Sequence, residues 1–153
     1  MKAQKVVSLF FISFLFCNLL QFSGCKVTVV PQEKHPAYLH ALADLRSARW
    51  LIEHRPGDWQ QTISEMNAVK EINAAINDIK KAAVDDGKDI NSHPQVDENP
   101  DHIGRLHDAV EFLRKAESDV TKEEDNAAAE GLKERSARHI SEAIKLTQMA
   151  MHP

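Results

Sequence analysis

The octapeptide Ala41-Leu42-Ala43-Asp44-Leu45-Arg46-Ser47-Ala48 returns 68 residues later as Ala109-Val110-Glu111-Phe112-Leu113-Arg114-Lys115-Ala116. The same ungapped offset pairs Ile72 with Ile140, Ala75 with Ala143, Ile76 with Ile144 and Ala82 with Ala150. It also pairs Asp58 with Asn126, each just ahead of an apolar-periodic run. A register held through two such runs and the turn between them reads as the duplication of one helix-turn-helix hairpin. One hairpin cannot bury its own apolar stripe, so two stack face to face. The expected fold is all-α, an antiparallel four-helix bundle built from two duplicated hairpins.

Outward from the repeat, spacings of three and four define each helix. The first runs from about Pro36 to His54 on Tyr38, Ala41, Leu42, Leu45, Ala48 and Ile52. Pro36 suits a first helical turn. Arg55-Pro56-Gly57 ends it, and Asp58, with Gln61 three residues on, is the expected capping box of the second. That helix reaches about Val84 and carries Met66, Val69, Ile72, Ile76 and Ile79. The third opens at Asn99-Pro100 and carries Ile103, Leu106, Val110, Leu113 and Ala116. Asn126 caps the fourth, with Leu132, Ile140, Ala143, Ile144 and Met151. The hairpins span 36–84 and 99–151, and residues 85–98 form a crossover, long enough to span an end of the bundle.

The N-terminal 24 residues have another character. Lys2 and Lys5 precede an apolar run from Val6 to Phe16, too short for a bilayer span and suited to a signal h-region. The segment closes on Phe22-Ser23-Gly24-Cys25, which resembles the lipobox of bacterial lipoproteins, with Phe22 where that family usually has Leu. The resemblance implies cleavage before Cys25 and lipid attachment to its thiol. Lys26 in place of Asp at the next position resembles the outer-membrane sorting pattern of Gram-negative lipoproteins. Residues 25–34 are then a tether and 35–153 the bundle. Loss of Cys17 with the signal leaves Cys25 alone, so no internal disulfide braces the mature chain. Losing Lys2 and Lys5, with no acid removed, takes the formal charge from -4 to -6. An acidic domain argues against nucleic acid as a partner.

No catalytic constellation emerges. GxSxG, HExxH and glycine-rich phosphate loops are absent from the sequence. Eight histidines raise the prospect of a zinc, copper or haem site. His35/His40 and His102/His107 are five apart, which turns each pair roughly 140° around its helix. Neither pair can chelate from one face. Met66, Met149 and Met151 are candidate haem ligands, but methionine at such spacings usually fills core. Asp85-Asp86-Gly87-Lys88-Asp89 has the look of a calcium loop, yet Val84 and His93 stand where an EF-hand needs oxygen ligands. No metal site and no cofactor are expected.

Two departures from the helical pattern bear on function. Arg49 and Glu117 are repeat-equivalent and lie near the apolar stripes, so they are expected to meet as a structural ion pair between the first and third helices. The first helix also carries an outer stripe, Leu39, Ala43 and Trp50, whose counterparts His107, Glu111 and Ser118 are polar. That asymmetry marks a partner or self-association face. The tether folding back, or Trp50 packing on Trp59, would also cover it.

The strings His35-Pro-Ala-Tyr-Leu-His-Ala-Leu-Ala-Asp-Leu-Arg-Ser-Ala-Arg49, Ile79-Lys-Lys-Ala-Ala-Val-Asp-Asp-Gly-Lys88 and Glu123-Glu-Asp-Asn-Ala-Ala-Ala-Glu-Gly-Leu132 resemble an uncharacterised family of small exported bacterial helical-bundle proteins. The resemblance implies a helical exported domain and supplies no activity or ligand. The expected function is therefore that of a non-enzymatic, membrane-tethered envelope protein. It would sit on the periplasmic side and act by contact with an envelope protein or with itself. A metal- or haem-binding periplasmic bundle is the alternative.

Overall fold

The structure, a computed structural model, describes residues 36–54, 60–82, 86–97, 101–122 and 130–152. The expected signal segment and tether, with Cys25, as well as Trp59 and the caps expected at Asp58 and Asn126, lie outside them. The described residues form four α-helices and no strand: α1 Pro36–Glu53, α2 Ile63–Lys81, α3 His102–Lys122 and α4 Glu130–Met151. None of them is long and apolar enough to cross a membrane. A shift of 68 residues carries α1 onto 104–121, within α3, and α2 onto 131–149, within α4.

The helices form a ring in which α1 packs on α2 and α3, and α4 on α2 and α3. Glu71 meets His139 at 2.6 Å and Asp78 meets Arg135 at 3.0 Å, so α2 and α4 are antiparallel. His40 and Asp44 share a cleft with Lys115, Asp119 and Lys122, which sets α1 antiparallel to α3. Glu65 and His102 join the first turns of α2 and α3 at one end. Every neighbour in the ring therefore runs antiparallel, and the parallel pairs lie on the diagonals. Glu71 and His139 occupy the same place in the repeat, one in each hairpin. Two equivalent positions in mutual contact mark the internal twofold axis.

Near that axis the helices close on small residues. Ala48 and Ala116, like Ala75 and Ala143, are fully buried, and so are Leu45 with Leu113 and Ile72 with Ile140. Alanines at the crossings let the helix axes approach closely, and the flanking Leu and Ile fill the space between. Buried hydroxyls are satisfied within their own helices: Ser47 donates to the Ala43 carbonyl at 3.0 Å and Thr147 to Ala143 at 2.8 Å.

The start of α2 differs from expectation. Thr62, not Asp58, is the N-cap, and Glu65, not Gln61, completes the box. The Thr62 N–H donates to Glu65 Oε2 at 2.6 Å, and the Glu65 N–H to Thr62 Oγ1 at 3.2 Å. A carboxylate suits the helix N-terminus better than an amide, and this one also receives His102 Nε2 at 2.6 Å. Met66 and Ile103, assigned to the core by spacing, sit on these first turns at 43% and 37% exposure. The helical period identifies a face but not where neighbouring helices stop covering it.

Burial pushes the Glu65 carboxyl up, but the Thr62 N–H, His102 and the Thr62 hydroxyl together leave it below its usual range. Arg135 holds Asp78 low, and Arg46 holds Asp86 low. Each such group lends stability that is fully present above its unfolded value, near 4, and is lost as pH falls through its native value. Urea midpoints followed by circular dichroism should fall below about pH 5. Glu65→Gln should cost about 1 kcal/mol at pH 7 and flatten that acid slope. An unchanged slope would remove Glu65 from the account.

Candidate functional site

With α2 and α3 starting at the same end, the chain leaving α2 must return along the bundle, about 30 Å, before α3 begins. It was expected to span an end; instead it crosses the outer surface of the α1–α3 pair. Arg46 donates twice to Asp86, Nη1 to Oδ2 at 2.7 Å and Nη2 to Oδ1 at 2.8 Å. Asp86 Oδ1 also accepts from the Lys88 N–H at 3.2 Å, across Gly87, whose φ of 66° is a left-handed conformation suited to glycine. Lys80 Nζ donates to the Lys88 carbonyl at 3.0 Å. Farther along, Asn91 accepts from Arg49 at 2.8 Å, and His93 meets the Trp50 ring at 4.7 Å. His54 stacks on Trp50 at 4.4 Å. Ile90 and Val96 are half-buried against the core.

The Arg49–Glu117 pair does not form. Arg49 is taken by Asn91 and by Glu53, one turn along its own helix, at 3.0 Å. Glu53 and the crossover are simply nearer than α3. The outer stripe of α1 is divided rather than continuous. Trp50 is stacked between His54 and His93, Ala43 faces a cleft beside α3, and Leu39 is 38% exposed. The asymmetry between hairpins thus has a partial cause within the chain. The crossover lies on α1, so Arg46 is buried while its repeat-equivalent Arg114 is exposed and paired with Glu111 at 2.8 Å.

Beyond the crossover the α1–α3 surface opens into a cleft of about 460 Å³. His40, Ala43 and Asp44 form one wall, and Lys115, Ser118 and Asp119 the other. Burial pushes the Asp44 carboxyl up; Lys115 and His40 offset part of this and Asp119 adds to it. Asp119 is held by Lys122 at 3.2 Å, and the Lys115 ammonium lies 5.0 Å from the centre of the Phe112 ring. Sequence reasoning reached Ala43 but missed Asp44, because an aspartate on an outer helix face gives no sign of a neighbouring helix that half-buries it.

The Asp86-Gly87 turn, which has the look of a calcium loop, spends its carboxylate on Arg46. Among the described residues no three His, Cys, Asp or Glu side chains are grouped to hold a metal ion. Met66 and Met149 are at the surface, 43% and 52% exposed, so neither points inward as a haem ligand. The second buried polar site, Glu65 with His102, ties two helix starts together. Glu71, His139, Asp78 and Arg135 form a ladder between α2 and α4. Both sets join helices and are read as structural.

No protein-family model, curated protein or solved structure matches the chain.

Proposed function

We propose that this is a membrane-tethered envelope protein without chemistry of its own, which works by holding another protein against the outer face of α1 and α3. The observation that carries the reading is the cleft beside the crossover. It is open, it lies between two helices, and four of its lining charges are paired with neighbours, Glu111 with Arg114 and Asp119 with Lys122. Such surface pairs set register and partner choice at a contact face. Catalytic groups, by contrast, converge on a reacting atom. The tether follows from Ser23-Gly24-Cys25, with lipid on Cys25, and an outer-membrane address fits Lys26.

A photo-crosslinking residue placed at Ser118 or Leu39 of the full chain, in its own envelope, tests the face. Both positions should yield a discrete adduct. The same probe at Asn77, exposed on α2, should not. Equal labelling from all three, or none, removes the proposal. Mass spectrometry of the mature N-terminus checks the anchor: an acylated Cys25 is expected, and a start beyond it would end that part.

A further inference from the structure

The large apolar side chains exposed among the described residues are unevenly placed. Ile63, Met66, Ile103 and Met149 all lie where α2 and α3 begin and α4 ends, and only Leu39 lies at the other end. Three of the four belong to α2 and α4, across the ring from the α1–α3 face. The contacts of Glu71 with His139 and of Asp78 with Arg135 fix the register of these antiparallel helices and put Met149 level with Ile63. One turn inward, Met66 stands level with Lys145; one turn farther, Lys70 stands level with Glu142.

The pair of helices is therefore graded with depth: apolar at the tip, then one thioether and one ammonium, then charge. Ile63 is 73% exposed and Met149 52%. Residues 60–70 and 143–152 contain one carboxylate, Glu65, and it is buried. Lys70 meets the neutral Asn67 at 3.3 Å, and Lys145 meets Glu142 at 3.4 Å. Two turns, about 11 Å, match the passage from acyl chain through headgroup to water that an interfacial helix makes. We propose that this tip of α2 and α4 seats in a lipid bilayer, its outermost turn at the acyl boundary and its lysines at headgroup depth. This rests on the membrane-tethered reading, which supplies the bilayer. Cys25 and Pro36 are 11 residues apart, a reach of about 36 Å when extended. The 18 residues of α1 cover about 27 Å, so a lipid on Cys25 leaves the tip within reach of the surface. Lysine stems lie along apolar surface while their ammonium groups reach the phosphates. Seating α2 and α4 in this way leaves the α1–α3 face uncovered for its partner.

A diazirine residue at Ile63 or Met149 of the full chain, irradiated in its own envelope and read by adduct mass, tests this. Both positions should give phospholipid adducts, about tenfold more than the same residue at Asn77, which is exposed about 21 Å farther along α2. Ile63→Gln with Met66→Gln should lower the yield from Met149 about tenfold. Both side chains are exposed, so the melting point should not change, which separates lost seating from lost folding. Polypeptide adducts in place of lipid ones overturn the proposal. So do equal lipid labelling at Asn77, no labelling at all, or a yield from Met149 that the double variant leaves unmoved. Failure of lipid labelling while Cys25 is acylated would sink this inference alone; a mature N-terminus without an acyl chain would remove the tether and the inference with it.

Discussion

Asp86→Ala should destabilise the bundle by about 3 kcal/mol, although Asp86 lies in a connecting segment. The reason is the group it leaves behind. Arg46 is 1% exposed, and its two terminal nitrogens both donate to Asp86. Its remaining hydrogen bond, to the Lys88 carbonyl, is long at 3.5 Å, and its Nε has no hydrogen-bond partner among the described residues. Removing the carboxylate strands a buried cation, which typically costs 3–5 kcal/mol. The lower end applies because the crossover can shift and admit water. Replacing both residues, Arg46→Met with Asp86→Ala, should recover most of the loss, since an apolar side chain of similar length needs no counter-ion. Urea unfolding at pH 7, followed at 222 nm, measures all three proteins. A single variant costing less than about 1 kcal/mol, or a double variant less stable than the single, would show that Arg46 has another route to water. Faster amide exchange across 86–97 in the single variant would confirm that the pair fastens the crossover.

The repeat made the bundle legible. Leu45 with Leu113 and Ile72 with Ile140 announced helices whose apolar faces recur in register, and those residues are the buried centre. The offset of 68 reappears as a physical contact between Glu71 and His139. The path of the crossover was not legible, because residues 86–97 carry no periodicity and their position follows from which helices lie on the diagonal. Two features depend on that path: helical spacing alone brings Arg49 toward Glu117 but does not place Asn91 beside it, and it leaves the outer stripe of α1 whole because it does not place His93 over Trp50. Thr62 and Glu65 also have the spacing of a capping box, and spacing alone does not choose them over Asp58 and Gln61. Only the position of His102 shows the second demand on Glu65.

The site was less legible than the fold for a related reason. Leu39, Ala43 and Trp50 mark a face by what they lack, a polar counterpart in α3. The chemistry of that face lies in Asp44, Lys115 and Asp119, charged residues that read as ordinary solvated surface until two helices bring them together. A helical pattern encodes burial in its apolar positions. It does not encode which charges from separate helices will share a cleft.

Leu45→Ala and Leu113→Ala should each cost about 3 kcal/mol, and by similar amounts. Both side chains are fully buried and they are repeat-equivalent, so each deletion removes the same transfer energy and leaves a cavity walled by related helices. The polar neighbours should behave in the opposite way. Arg114→Met lies within about 0.5 kcal/mol of the parent, because Arg114 is exposed and its pair with Glu111 is a surface pair. The equivalent Arg46 is held under the crossover, so replacing it alone leaves Asp86 with a weakened hold on α1. The internal twofold thus governs the core but not the surface that the crossover covers. Carrying both leucine changes in one chain would remove about 6 kcal/mol, comparable with the whole stability of many domains, and should leave it largely unfolded at 25 °C. Denaturation curves of the two single variants decide the matter. If their costs differ by more than about 2 kcal/mol, the two halves do not share an equivalent core and the duplication is confined to sequence.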